Sequence, residues 1–154
     1  MPNLFAEFRA VVEALDTAGV PFAVCGGLAM SIHAHPRATI DIDLLVPSDS
    51  LPRLKDALRA LGFEQREAAP SRFAKGEIVI HRLTKYAPPD PEVLLLDVIE
   101  VGRGVSLEAW ETREALDWEG RRVGVVSRAG LVALKRLRGS PQDLADITVL
   151  EERE

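Results

Sequence analysis

Residues 38–46, ATIDIDLLV, place two aspartates one residue apart in a run of Ile, Leu and Val. Such a run reads as a buried strand, and alternate residues of a strand share a face. Asp41 and Asp43 therefore point the same way, about 6.6 Å apart along the backbone, which is two rises of a strand. Unpaired charge is costly to bury, so two carboxylates on an apolar strand call for a cation, a salt bridge or a water-filled cleft. Arg37 and Thr39 have the same parity and join that face if the strand begins early enough. The plainer alternative is an edge strand whose acids face water.

Upstream, PFAVC is a short apolar strand and LAMSIHAH a plausible helix, with Gly26 and Gly27 at the turn between them. Backbone amides at a helix start, unshielded by a Cβ, suit a phosphate group. Taken alone, a glycine pair is better read as an ordinary tight turn. With an aspartate pair one helix later, it has the parts that metal-dependent transfer from a nucleoside triphosphate requires.

Gly26, Gly27, Asp41 and Asp43 together resemble the glycine-glycine and hydrophobic-Asp-hydrophobic-Asp-hydrophobic signature of the DNA polymerase beta-like nucleotidyltransferase superfamily. The run Arg37-Ala38-Thr39-Ile40-Asp41-Ile42-Asp43 is most similar to its minimal and abortive-infection (AbiEii-like) bacterial branches. In that pattern a third carboxylate comes from a later strand, and Asp97 in EVLLLDVIEV matches it. Glu100 has the opposite parity and should face away. An acid in a run this apolar is otherwise a salt-bridged structural residue.

The tail from Lys135 to Ile147, KRLRGSPQDLADI, resembles the Lys-Arg...Lys-Asp-x-x-Asp-Ile tail of the same branches, with Gln142 where a second lysine often stands. Lys135 is the candidate phosphate contact there; the alternative is a surface helix with paired charges.

The resemblance implies an α/β (α+β) fold: a mixed, mostly antiparallel sheet with packed helices and a C-terminal helical hairpin. It implies transfer of a nucleoside monophosphate from a nucleoside triphosphate to a hydroxyl acceptor on a protein, an RNA or a small molecule, releasing pyrophosphate. Asp41, Asp43 and Asp97 would hold magnesium, or manganese, and Gly26, Gly27, Arg37, Thr39 and Lys135 the triphosphate. A rival reading is a non-catalytic module of the same fold, one half of a toxin-antitoxin pair beside a helical partner.

At 154 residues the chain is expected to form a single domain, residues 1–154, with room for a sizeable core. Templated synthesis is excluded, since fingers and thumb would not fit. The net charge of −5 argues against a surface that coats nucleic acid, though not against a local basic patch. One cysteine, Cys25, has no partner for an internal disulfide and sits in an apolar run, where a buried role fits better than a catalytic thiol. The N-terminus lacks a basic-then-apolar signal pattern, and no apolar run reaches the ~20 residues of a membrane span, so a cytoplasmic protein is expected. His33 and His35 have no cysteine cluster beside them and suit a helix end better than zinc. A haloacid-dehalogenase-like phosphatase would want Thr or Ser where Leu45 stands, and a sugar-nucleotide glycosyltransferase a longer chain.

Outside the site, Asn3 should cap a helix with Phe5, Phe8, Val12 and Leu15 on its packed face, stopped by Gly19. Leu51, Leu54, Leu58 and Leu61 make the stripe of another. FEQRE and RFAKG around Pro70 suggest a hairpin, and GEIVIHRLTKY a strand before the prolines at 88, 89 and 91. Residues 107–118 read as a helix leading into a strand near residues 122–126. Ser127 should cap the helix that Gly139 ends.

Overall fold

A computed structural model describes residues 3–33, 41–86 and 93–152. Helix α1, Leu4–Ala18, is capped by the Asn3 side chain, which accepts from the Ala6 amide, and ends at left-handed Gly19. Its buried residues are Phe8, Val11, Val12 and Leu15, whereas Phe5 is 60% exposed. The expected stripe therefore loses Phe5 and gains Val11.

Strand β1, Ala23–Cys25, runs straight into helix α2, Gly26–His33. Strand β2, Asp41–Pro47, follows. A short 3-10 turn then leads into helix α3, Leu51–Arg59, which buries Leu51, Leu54 and Leu58 of the expected stripe but stops before Leu61, which is only partly buried. Strands β3, Glu64–Gln65, and β4, Ser71–Phe73, do not pair with each other as a hairpin would. Both pair antiparallel with β5, Ile78–Tyr86, at different points along its length. The long strand offers enough edge to hold both short ones. Strand β6, Val93–Val101, carries Asp97. Helix α4, Val105–Glu111, ends before β7, Glu114–Trp118, so Trp118 belongs to a strand and its ring lies 4.9 Å from that of Phe8. Strand β8, Arg121–Val125, and helices α5, Arg128–Arg138, and α6, Pro141–Glu152, complete the described chain. Ser127 caps α5 through the Gly130 amide, and Gly139 ends it in the left-handed conformation.

The strand order is β3-β5-β6-β2-β1-β8-β7, with β4 beside β5. The β2–β6 and β1–β8 pairs are parallel and the other pairs antiparallel, which is the mixed, mostly antiparallel sheet expected. Strand β1 is buried throughout, while β2 buries Ile42, Leu44, Leu45 and Val46 and β6 buries Leu94, Leu96 and Val98 beside Asp97. Helices α5 and α6 form the C-terminal hairpin. No helix among the described residues is long and apolar enough to cross a membrane.

Candidate active site

Register gathers the acids. In the parallel β2–β6 pair, Asp43 stands opposite Asp97 and Asp41 opposite Leu95. Residues opposite each other on adjacent strands share a face, so Asp41, Asp43 and Asp97 project from the same side of the sheet. On the other flank of β2, Cys25 of β1 is the partner of Asp43. Glu100 faces the opposite side, where it meets His81 at 3.1 Å. That hydrogen bond, with another from Ser48, outweighs burial and lowers the Glu100 pKa.

Gly26 shows why a glycine starts α2. Its φ of +60° lies in the left-handed region, and a Cβ built on it would fall on the Asp43 carboxylate. Close approach of the helix start to the acid is possible only without a side chain. Gly27 is buried one residue further in, where its carbonyl accepts from Ser31 Oγ at 3.1 Å. Arg37 and Thr39 lie outside the described residues, as does His35. His33 ends α2, its Nε2 2.7 Å from the Val126 carbonyl oxygen, which is the helix-end role expected of it.

The acids are held at a cost. Burial first, then the charges of Asp97 and Asp41, push the Asp43 pKa up to about 7, against opposition from Arg138 and Lys135. Burial and Asp97 also raise Asp41, with Arg82 opposing. Burial together with Asp43 drives the Cys25 thiol well above its usual value, so it stays protonated, as expected for a structural cysteine.

Two arginines of the site went unremarked in the sequence. Arg82 of β5 is the register partner of Asp97 and grips both its oxygens, Nε to Oδ1 at 2.8 Å and Nη2 to Oδ2 at 2.9 Å. The available signal was an arginine beside a histidine within an apolar strand, IVIHRL. Arg138, from the last turn of α5, lines both the pocket beneath Asp43 and the cleft beside Asp97. Its spacing of three from Lys135 put the two on one helix face.

Lys135 is not on a solvated helix face. It is 4% exposed, with Nζ 2.8 Å from Asp146 Oδ2 and 3.8 Å from Asp143 Oδ1. Gln142 donates to the other Asp146 oxygen at 2.9 Å, so the residue standing in place of a second lysine completes the same buried cluster. Asp143 does more than favour the dipole of α6. Burial would raise its pKa, but the Arg138 fork and Ser140 overcome this and lower it to about 2. Lys135 still lines the pocket with Cys25, Gly26 and Asp43, so its charge reaches the acids although its hydrogen bond goes elsewhere.

The oxygen donors of Asp41 and Asp43 suit a hard divalent cation, and such an ion would relieve the desolvation and repulsion that raise Asp43. Asp97 is a donor of the same kind whose oxygens are engaged by Arg82. Among the described residues, no group of three or more His, Cys, Asp or Glu side chains is arranged to hold a metal as it stands.

A mixed sheet of this order, with a glycine-started helix against one of several in-register acids, is a nucleotidyltransferase fold. Many solved structures share it, among them the following three. ANT(2″)-Ia, solved with adenylyl-2″-tobramycin, is 18% identical over 94% of this chain and 86% of its own, at a TM-score of 0.63. The lincosamide antibiotic adenylyltransferase LnuA, solved with lincomycin, is 14% identical over 95% of both chains, at 0.67. A candidate nucleotidyltransferase from Thermotoga maritima is 13% identical over 97% and 89%, at 0.62. No curated protein is similar enough in sequence to match. Residues 9–154 match the family model described as nucleotidyl transferase AbiEii toxin, type IV toxin-antitoxin system, and the chain belongs to that family.

Proposed function

We propose that this chain transfers a nucleoside monophosphate from a nucleoside triphosphate to a hydroxyl acceptor on a protein, an RNA or a small molecule. The acceptor oxygen bonds to the α-phosphorus as the bond to the bridging oxygen of the β-phosphate breaks; pyrophosphate leaves and the acceptor gives up its proton. The observation that carries this reading is the register of Asp43 with Asp97, with Asp41 on the same face and Gly26 pressed against Asp43.

Asp41 and Asp43 are the residues to hold magnesium or manganese. The bound ion would supply positive charge for the triphosphate and the developing charge at phosphorus. Asp97 would complete the shell of one ion and take or orient the acceptor's proton. The amides at the start of α2, at Gly26 and Gly27, face the triphosphate, and Arg138 adds positive charge where the cleft and the pocket beneath Asp43 meet. Lys135 contributes field rather than a direct bond, while Arg37 and Thr39 keep the triphosphate role that the family resemblance implies.

A second reading, a non-catalytic module within a toxin-antitoxin pair, draws on the Arg82–Asp97 ion pair, which leaves the third acid closed. One experiment separates the two. Candidate proteins and RNA are incubated with each labelled nucleoside triphosphate and magnesium, and the added mass is measured. Label transferred by wild type and lost in Asp43→Asn supports the transferase; no transfer to any acceptor class, alongside tight binding of a partner protein, supports the module.

A further inference from the structure

The two ends of the Arg82–Asp97 pair are unequally held. The Asp97 side chain is 12% exposed in the middle of β6, whereas the Arg82 side chain is 45% exposed and borders a cleft shared with Glu67, Ser71, Phe73 and Arg138. The acid is fixed by the sheet; the cation sits at the end of a long side chain with solvent beside it. The guanidinium also answers more than one acid. The Asp97 hydrogen bond stabilises its charged form, and the charges of Asp97, Asp41 and Glu67 add to that.

A bidentate fork occupies both carboxylate oxygens in the carboxylate plane, and an entering cation needs at least one of them. Arg82 and a divalent ion are thus competitors for Asp97. Releasing Arg82 does not strand its charge, since its side chain is already half-exposed and Glu67 borders the same cleft.

We propose that Arg82 is an exchangeable counter-ion for the acid cluster: it neutralises and orients Asp97 in the metal-free protein, and gives it up when a divalent cation binds. It is a positioning residue for the metal site, not a group that touches substrate. The proposal rests on the transferase reading, since it takes the aspartates as the metal site.

Manganese binding, measured by titration calorimetry or electron paramagnetic resonance without nucleotide, tests it on wild type, Arg82→Gln, Arg82→Lys and Asp43→Asn. Competition predicts that Arg82→Gln binds manganese about tenfold more tightly than wild type, a factor equivalent to about 1.4 kcal/mol. Arg82→Lys keeps the charge but not the fork, so it too should tighten binding, by roughly threefold. Unchanged affinity in Arg82→Gln overturns the proposal. So does tighter binding in Arg82→Gln with wild-type affinity in Arg82→Lys, because the effect is then general charge rather than exchange. If Asp43→Asn binds manganese as wild type does, or no variant binds it, the metal site itself is misassigned and the transferase reading falls too. Melting curves establish that each variant is folded; if Arg82→Gln is not, Arg82→Lys alone decides between exchange and none.

Discussion

Gly26 and Asp43 are packed so closely that the glycine has no space for a methyl group: a Cβ there would come within 2.7 Å of the Asp43 Cβ and closer still to its carboxylate. Strand β1 thereby delivers the start of α2 onto the acid of the neighbouring strand.

Gly26→Ala therefore tests that contact directly. The substitution combines a left-handed backbone with a collision, and destabilisation of about 2–4 kcal/mol is expected. Nucleotide affinity in the surviving folded fraction should fall as well. Calorimetric titration beside a melting curve reads both; a variant as stable as wild type would show that the helix start has room to retreat from Asp43.

Asp43 should make the metal-free protein less stable as pH rises. Its folded pKa, about 7, lies above its ordinary value, so the folded state binds the proton more tightly than the unfolded state does. The resulting stability is full below about pH 4 and is lost as pH climbs through 7. Asp143 runs the other way: with its pKa lowered to about 2, its contribution holds above about pH 4 and is lost as pH falls through 2. In chelator at pH 7.5, Asp43→Asn should melt about 3–8 °C above wild type, corresponding to about 1–2 kcal/mol. A variant that melts well below wild type instead would mean that Asp43 is bound by a partner it cannot lose.

Magnesium or manganese should raise the wild-type melting temperature, because an ion bound only by the folded state stabilises it by mass action. At a hundredfold excess over the dissociation constant the gain is about 2.7 kcal/mol. The rise should shrink below pH 7, where protonation of Asp43 competes with the ion. It should vanish in Asp41→Asn and Asp43→Asn. Identical curves in chelator and in metal would count against the ion.

Lys135→Ala is expected to act on stability before it acts on nucleotide. Removing the buried ammonium leaves Asp146 and Asp143 without their shared cation, and breaking a buried pair costs about 3–5 kcal/mol. Arg136, one residue on, pairs with Glu151 where both side chains are more than half exposed, and Arg136→Ala should stay within about 0.5 kcal/mol of wild type. Chemical denaturation of the two variants side by side makes the comparison. A Lys135→Ala variant as stable as Arg136→Ala would restore the lysine to a surface role.

Much of the site was legible before folding. Strand parity alone put Asp41 and Asp43 together and turned Glu100 away from Asp97, and helix stops fell at Gly19 and Gly139 as their left-handed conformations require. These are local properties, set by the two-residue repeat of a strand and by the backbone freedom of glycine, and the chain carries them wherever it goes. Partner choice was not local. Whether Asp97 meets a metal, a lysine or Arg82 depends on the register of β5 against β6, joined through residues 87–92. Both β3 and β4 chose β5 over each other for the same kind of reason, since a long free edge satisfies more backbone groups than a short hairpin does. The amphipathic pattern of α5 showed Lys135 as one charge among several. Only the packing of α6 against α5 made it a buried ion, because burial is a property of what lies on top of a residue, and no stretch of sequence contains that for itself.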